Sequence, residues 1–302
     1  METSNFGKKI INFEQSTKPI FSEDGLREFY ANGADTMDII WQGSLHPGLF
    51  KNVDMSLPEA AQAMNELMTS EAQIESGSQV LVLGCGTGGL DRFIVRNKHA
   101  KVIGLDLSEA QLKLAKERAK DEGLLGQIEY FQGSMTKIPL DDNSVYSVLA
   151  QASFFYCEPK TEAIAEIYRV LKTGGILVIE DAVIKNPKVE DEVKEVYMNQ
   201  IGTNELWTPE FYKEMFKSYK LFLKKSTDLS THLATTYRAI IKSIKDNRTA
   251  IQYQLTGDHP TEFLLAKAKF KLDRKFAYPE FLKLVEEGKL GCQLMVFQKY
   301  SD

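Results

Sequence analysis

The chain has 302 residues, of which 43% are hydrophobic and 26% are charged, enough apolar material for a sizeable core. Its 37 basic and 42 acidic side chains give a net charge of −5, which argues against a broad basic surface and so against nucleic acid as a partner. Three widely spaced cysteines predict neither a disulfide framework nor a metal site, and they favour a reducing compartment, the cytoplasm. No apolar run approaches the roughly 18 residues of a membrane span.

The pattern of apolar and charged residues changes three times along the chain, which divides it into four segments. Residues 1–72 predict a helical N-terminal leader and lid, and residues 73–185 predict an α/β core. Residues 186–289 are charged and are interpreted as a helical cap that forms the substrate region, with Thr208 predicted as a helix cap. Residues 290–302 predict a strand that returns to the core sheet.

Short apolar runs alternate with helical patterns throughout the predicted core. The runs predicted as strands are Gln79–Leu83, Lys101–Leu105, Ile128–Phe131, Val145–Ala150 and Ile176–Glu180. The helices predicted between them are Leu90–Asn97, Ser108–Glu122 and Thr161–Leu171. This alternation is typical of βαβ units, so we expect an α/β fold with a doubly wound, mostly parallel sheet.

A glycine-rich turn follows the first predicted strand. Gly84, Gly86 and Gly89 satisfy the G-x-G-x-x-G pattern, and Gly88 lies between them. Glycines between a strand and a helix let a ligand approach the main chain without a Cβ atom in the way. Asp106 ends the second strand, where its carboxylate is expected to accept hydrogen bonds from two ribose hydroxyls. These two features are compatible with NAD or with S-adenosylmethionine.

Three later motifs distinguish the two cofactors. Gly133-Ser134-Met135 follows the third strand, residues 138–144 lead into the fourth, and residues 168–177 form a helix end, a glycine turn and a strand. From Gln79 to Glu180 this ordered set resembles the class I S-adenosylmethionine-dependent methyltransferases, which have a Rossmann-like fold. An NAD(P) oxidoreductase is a minor alternative, and the resemblance requires no metal.

The resemblance implies a set of cofactor-binding residues along the strand tips and the lid. They are Trp41, Gly84, Cys85, Gly86, Gly88, Asp106, Leu107, Gln111, Ser134, Met135 and Gln151. Three positions depart from the family pattern, because Val82, Ser134 and Tyr146 stand where many relatives have an acidic residue. A weak cofactor site or a catalytically silent relative therefore remains an alternative.

The flanking segments point to a small-molecule substrate. Residues 29–30 and 40–48 are similar to the lid of a group that includes sarcosine/dimethylglycine, tocopherol and sterol methyltransferases, and residues 228–232 and 287–291 are most like the sarcosine/dimethylglycine branch. We therefore expect N-methylation of a glycine-like or other small amine. The alternative is C- or O-methylation of a hydrophobic prenyl or sterol-like metabolite, and a homodimer is allowed.

Methyl transfer needs alignment and exclusion of water more than it needs a covalent intermediate. The expected catalytic residues are Tyr30, His46 and Tyr156, which are able to orient an amine or relay its proton. Aromatic faces attract cationic groups, and Arg238 is a candidate partner for a substrate carboxylate. The expected substrate residues are Phe155, Tyr156, Trp207, Tyr237 and Arg238.

Overall fold

The computed structural model describes residues 22–27, 30, 39–42, 45–198, 201–248 and 277–300. Their centre is a seven-stranded sheet with the order β3-β2-β1-β4-β5-β7-β6. Five strands are parallel, and β7 runs antiparallel to its neighbours β5 and β6. The order reverses between β1 and β4, and ligands of such sheets bind outside the carboxyl ends of the strands at that point.

Apolar runs bounded by turns form the strands, as the sequence predicts. The parallel strands are β1 (Gln79–Leu83), β2 (Lys101–Asp106), β3 (Ile128–Gln132), β4 (Val145–Gln151) and β5 (Leu171–Ile184). The last two strands are β6 (Leu221–Asp228) and β7 (Leu290–Lys299). The five predicted core strands and the returning strand are therefore confirmed, although β5 begins before the glycine turn that was expected to precede it.

Helices cover both faces of the sheet. The longer ones are α1 (Leu57–Glu71), α2 (Gly89–Lys98), α3 (Glu109–Asp121), α4 (Lys160–Val170), α5 (Pro209–Ser218), α6 (Ser230–Asp246) and α7 (Tyr278–Glu286). Ser108 and Thr208 cap α3 and α5 by accepting backbone N–H bonds, as predicted. None of the described helices combines the length and the apolar composition that a bilayer span requires.

The two faces have separate apolar cores. Val80 and Val82 of β1 pack into one core with α1 and α2, while Leu81 and Leu83 pack into the other with α4 and α5. Successive side chains of a strand point to opposite faces, so a strand that is buried on both faces consists of apolar residues. The sheet is therefore doubly wound, and the expected fold class is confirmed.

One part of the predicted helical cap is a strand. Residues 221–228 form β6, which pairs with β7 at the edge of the sheet that the described residues form. Lys224 and Lys225 are exposed there, and lysines are common on strand edges because they discourage pairing with other chains. The prediction of helix for residues 221–228 is therefore wrong. Their composition is typical of a helix, but pairing with β7, about seventy residues further along, decides their structure.

The lid prediction is only partly covered by the described residues. Helix α1 lies within the segment expected to be helical, and Ser56 and Glu59 form a capping box at its start. Residues 1–21, 28–29, 31–38 and 43–44 of the leader and lid, and residues 199–200 and 249–276 of the cap, lie outside the described residues. The domain boundaries stay predictions.

Candidate functional site

The glycine turn adopts a conformation that only glycine enters easily. Gly84, Gly86 and Gly88 all have positive φ, of 63°, 55° and 73°. A Cβ atom on Gly84 would lie 2.4 Å from the Cβ of Ser153. On Gly86 the nearest atom to such a Cβ would be Gln111 Oε1, at 3.9 Å. The turn thus packs tightly at Gly84 and leaves the backbone of Gly86 open to a ligand.

Asp106 joins the turn to the end of β2. Its two carboxylate oxygens accept backbone hydrogen bonds from Gly86 and Ser108, each of 2.8 Å. Burial raises the pKa of this carboxyl, and the N–H donors of Ser108 and Gly86 oppose that effect. Each carboxylate oxygen has a second lone pair, so the side chain retains acceptor capacity for hydroxyl groups of a ligand.

A cleft opens at the carboxyl ends of β1, β2 and β4. It encloses about 830 Å³ including its open mouth, a size that suits a small-molecule ligand. The predicted residues that line it are Tyr30, Gly84, Gly86, Asp106, Leu107, Gln111, Ser134, Met135, Gln151 and Tyr156. The structure therefore gathers most of the predicted cofactor residues, and two of the predicted catalytic residues, around one cleft.

Gln111 is the clearest sign of a ligand in this cleft. The residue is 2% exposed, yet neither its amide nitrogen nor its amide oxygen has a hydrogen-bond partner. Buried amide groups are normally satisfied, because each one left without a partner costs free energy. Gln111 lines the cleft beside Gly86 and Asp106, so a polar ligand such as a ribose would satisfy it.

The charges around the cleft have one sign. Glu23, Asp106 and Glu158 line it, and no lysine or arginine is found among the described residues that do so. A cleft with this electrostatic character favours cationic ligands over anionic ones. Within the described ranges, no three His, Cys, Asp or Glu side chains are grouped to hold a metal ion.

Gln151 is the last residue of β4, and contacts with two other side chains hold its amide in place. Its Nε2 lies 3.1 Å from His46 Nδ1 and 3.2 Å from Asn65 Oδ1. Burial lowers the pKa of His46 to about 4, so the imidazole is neutral at pH 7. His46 does not line the cleft, and its position suits a residue that orients Gln151 better than the catalytic role expected for it.

Tyr30 and Tyr156 both line the cleft and contact each other there. The Tyr30 hydroxyl donates to the Tyr156 hydroxyl over 3.1 Å, and the two rings are perpendicular at 6.1 Å between centroids. Burial raises the pKa of Tyr30 to about 12 and raises that of Tyr156 as well, so both phenols stay protonated at neutral pH. They are hydrogen-bond donors with aromatic faces rather than bases.

Three predicted aromatic residues contact other aromatic side chains and do not line the cleft. The Trp41 indole N–H donates to the Tyr278 hydroxyl over 2.9 Å, and Tyr237 donates to Tyr197 over 3.4 Å. The Phe155 ring packs on Tyr156 at 4.2 Å between centroids, with the two rings tilted by 39°. None of the three lines the cleft. The expected cofactor contact of Trp41 is therefore not seen, because its indole faces α7 instead.

Two predicted substrate residues lie elsewhere. Trp207 packs against Phe154 and Tyr212 on the other face of the sheet. Arg238 lies on the exposed face of α6, where its guanidinium forms an ion pair of 2.6 Å with Glu286. That carboxylate already occupies the guanidinium, so the expected pairing of Arg238 with a substrate carboxylate is not supported.

Two predicted glycine-turn residues also face away from the cleft. A Cβ on Gly88 would lie 2.4 Å from the Tyr130 hydroxyl, so this glycine is needed for packing. The Cys85 sulfur points beneath the turn towards Gly104. Cys85, Asp91 and Tyr130 converge there, and burial raises the pKa of Asp91 to about 7. Sequence reasoning missed Asp91, and its only signal was an acidic residue in the first turn of α2.

Comparisons with known proteins agree with this geometry. Residues 81–179 match the family model described as a methyltransferase domain. The chain is 25% identical over 213 residues to the glycine/sarcosine/dimethylglycine N-methyltransferase of Actinopolyspora halophila, a match covering 70% of this chain and 38% of that protein. It is 33% identical over 150 residues to a sterol 24-C-methyltransferase of Gibberella zeae, a match covering 50% of this chain and 39% of that enzyme. The chain therefore spans well under half of either relative.

A solved structure shows how widely this fold is used. The crystal structure of the [4+2]-cyclase SpnF superposes on the chain with a TM-score of 0.78 at 19% identity, covering 93% of this chain and 98% of that one. At this identity the likeness concerns the fold alone. The residues of the cleft, and not the architecture, therefore carry any argument about the reaction.

Proposed function

Because the chain carries a class I S-adenosylmethionine-dependent methyltransferase domain, we propose that it transfers the methyl group to the nitrogen of a small amine. S-adenosylmethionine is its cofactor. The observation that carries the choice of an amine is the acidic cleft, which has no basic residue among its described lining. The N-methyltransferase relative supports the same choice.

The residues of the cleft fit this cofactor. Gln111 supplies a buried donor and acceptor without partners, Asp106 retains acceptor capacity for ribose hydroxyls, and the backbone of Gly86 is open to close approach. Leu107 and Met135 also line the cleft and offer apolar surfaces against which an adenine would pack. When bound, S-adenosylmethionine supplies an electrophilic methyl group, and the sulfur keeps the electron pair of the broken bond.

The chain's own contribution is alignment and exclusion of water. Gln151, fixed by His46 and Asn65, and Tyr156, fixed by Tyr30, present hydrogen-bonding groups to the cleft. Both phenols are also aromatic faces, which attract the positive charge of a sulfonium or an ammonium. A nucleophile held at one geometry reacts faster because its translational and rotational entropy is already spent.

The described residues favour an amine without a carboxylate over an amino acid. A glycine-like substrate needs a cation to receive its carboxylate, and Arg238, the candidate for that role, is paired with Glu286 on the surface. Leaving a substrate carboxylate among Glu23, Asp106 and Glu158 would be repulsive. Hence simple mono- and dialkylamines are expected to be better substrates than glycine or sarcosine.

Radiolabelled S-adenosylmethionine and a substrate panel test the proposal. Purified protein is incubated with simple amines, with glycine and sarcosine, and with a prenyl alcohol and a sterol, and the label is followed into aqueous and organic extracts. Label in the amine fraction supports the proposal. Label found only in the lipid extract rejects it in favour of C- or O-methylation.

Calorimetric titration with the cofactor separates an enzyme from a silent relative. Saturable binding of S-adenosylmethionine together with turnover of any panel member removes the silent alternative. Absence of cofactor binding by folded protein would contradict the whole proposal. The same titration with NADH is the control, and no heat of binding is expected from it.

A further inference from the structure

The amide of Gln151 is oriented by His46 and by Asn65 of α1. Its Nε2 contacts both His46 Nδ1 and Asn65 Oδ1. An amide nitrogen carries two hydrogens, so these two contacts use both of them. The hydrogen bonds of this side chain to the described residues are made by Nε2, and the residue lines the cleft. Oε1 is therefore the polar atom that Gln151 offers to the cleft, and it is an acceptor.

The position of the His46 proton decides which end of the amide faces the cleft. With the imidazole neutral and its proton on Nε2, Nδ1 accepts the hydrogen bond from Gln151. Nδ1 also lies 3.0 Å from the Pro47 carbonyl oxygen. With a proton on Nδ1 the imidazole would donate to that oxygen, and the amides of Gln151 and Asn65 would both have to turn. The structure has the first arrangement, in which the acceptor of Gln151 is left for a ligand.

The backbone that follows Gln151 is also fixed. Ala152 has a positive φ of 48°, a conformation that residues other than glycine rarely adopt. Its N–H donates to the Glu180 carbonyl oxygen over 2.7 Å, and the Ser153 hydroxyl donates to the Leu83 carbonyl oxygen over 2.8 Å. Because both the amide and the backbone are held, a ligand that binds to Oε1 meets an acceptor that is already ordered.

Gln151 and Asp106 lie on opposite sides of the glycine turn. Asp106 ends β2 and Gln151 ends β4, and β1, which the turn follows, lies between these strands. Neighbouring strands are about 4.8 Å apart, so roughly 10 Å separates the ends of β2 and β4. The acceptor of Gln151 is therefore away from the proposed ribose site, in the part of the cleft that is left for the substrate.

We propose that Gln151 Oε1 accepts a hydrogen bond from the substrate amine and thereby restricts methylation to nitrogens that carry an N–H bond. The reacting nitrogen needs a lone pair for the methyl group and a hydrogen for Oε1. Neutral primary and secondary amines have both. A tertiary amine has an N–H bond only when it is protonated, and then it has no lone pair. The inference rests on the proposed function and adds that methylation ends at the tertiary amine.

Gln151 orients the nitrogen and is not its base. In each transfer the lone pair of the neutral amine forms the new N–C bond, the S–C bond breaks, and sulfur keeps the electron pair. The product is an ammonium, which loses its proton to water after release. A further transfer starts when the neutral product binds again. His46 and Asn65 act through Gln151 and are positioning residues.

Three amines that differ in their number of N–H bonds test the inference. Butylamine, N-methylbutylamine and N,N-dimethylbutylamine are each incubated with wild-type protein and S-adenosylmethionine at about pH 9, where more of each amine is neutral. Mass spectrometry identifies the products. We expect the first two to end as N,N-dimethylbutylamine, and the third to react at least about tenfold more slowly than the second, because it lacks the hydrogen bond. A quaternary product formed at a rate within about tenfold of the secondary amine would overturn the inference.

Gln151→Met removes the acceptor and keeps an unbranched side chain of similar length. We expect kcat/KM for N-methylbutylamine to fall about tenfold, mostly through kcat, and the affinity for S-adenosylmethionine to stay within about twofold by calorimetry. The matched control is Gln298→Met, which should behave as the wild type. Gln298 is also half-buried, but it pairs with Ile176, whose partner Ser147 lies near the start of β4.

Two results with this variant would contradict the inference. Unchanged turnover would show that Oε1 does not hold the amine. An equal loss of cofactor affinity would assign Oε1 to the cofactor instead. Circular dichroism shows whether the variant is folded, and if it is not, the amine series with the wild type still decides.

The tautomer of His46 is measured without any turnover. Nitrogen NMR of protein labelled at its histidines distinguishes protonated from unprotonated ring nitrogens, and His46→Phe assigns the signals. We expect an unprotonated Nδ1, whereas a proton on Nδ1 would place Nε2 of Gln151 in the cleft and overturn the inference. If no amine is methylated, the proposed function itself fails. If amines are methylated but the tertiary amine reacts like the secondary one, the function stands and the role of Gln151 is wrong.

Discussion

Gly86 and Asp106 are tied together by a hydrogen bond of 2.8 Å, which the Gly86 backbone N–H donates to Asp106 Oδ2. The bond joins the tip of the glycine turn to the end of the neighbouring strand. It places an open stretch of backbone and an acceptor for hydroxyl groups at the same end of the cleft. The carboxylate therefore shapes the turn, and we propose that it also accepts hydrogen bonds from the ligand.

Replacing Asp106 with alanine removes the carboxylate that shapes the turn and the proposed acceptor for ligand hydroxyls. We expect the affinity for S-adenosylmethionine to fall by about 1.5–3 kcal/mol, roughly ten- to 150-fold, which is the value of charge-assisted hydrogen bonds. Calorimetric titration measures the change. Asp141→Ala, an exposed acid on the way to β4, is the control and is expected to bind normally. Normal binding by folded Asp106→Ala would show that the nucleoside lies elsewhere.

Two glycines with similar backbone conformations allow the cost of backbone strain to be measured apart from the cost of a steric clash. Gly77 and Gly84 both have positive φ, but a Cβ on Gly77 meets nothing within 4 Å, whereas on Gly84 it meets the Ser153 side chain at 2.4 Å. Gly77→Ala is expected to cost about 1–2 kcal/mol of unfolding free energy from strain alone. Gly84→Ala should cost more and should also weaken cofactor binding, as measured by urea unfolding and titration. Equal losses of unfolding free energy in the two variants would mean that the Ser153 side chain moves aside without cost.

Asp91 is expected to make stability depend on pH. Its pKa is about 7 in the folded chain, above the ordinary value, because burial disfavours the charged form. The folded state then holds a proton that the unfolded state releases, so its contribution is fully present below about pH 4 and is lost as the pH rises through 7. In the wild type, Asp91 should make the free energy of unfolding fall by roughly 2 kcal/mol between pH 5 and 8. Urea unfolding of Asp91→Asn over the same pH range should show this fall removed.

The control for Asp91→Asn is Asp121→Asn, an exposed carboxyl in α3. Since Glu180 also has a raised pKa of about 7, part of the pH dependence is expected to remain in Asp91→Asn. An unchanged slope in Asp91→Asn would show that Asp91 is ionised in the folded chain.

Arg238→Ala is expected to leave catalysis unchanged. The side chain is 54% exposed and its ion pair with Glu286 lies on the surface, where such pairs contribute about 0–1 kcal/mol. Unfolding free energy should change by no more than that, and kcat and KM for an amine should match the wild type. A raised KM for carboxylate-bearing amines, but not for simple amines, would restore the substrate role that the sequence suggested.

Much of the core could be read from the order of residues alone. The apolar runs of β1 to β5, the caps Ser108 and Thr208, and the glycine turn followed by Asp106 are local patterns with a local cause. A buried parallel strand needs an apolar run and a sharp turn needs glycine, whatever the rest of the chain does. For the same reason several residues that line the cleft, among them Gly84, Gly86 and Asp106, were already candidates in the sequence.

Long-range packing settled everything whose partner is distant in the chain. Residues 221–228 became a strand because β7 offers an unpaired edge, and Trp41 turned towards Tyr278, 237 residues away. Arg238 forms an ion pair with Glu286, and Glu180 lies beside Cys292, 112 residues further along. Such contacts depend on the three-dimensional register of the sheet and on which face each side chain occupies. Neither is encoded in the spacing of neighbouring residues.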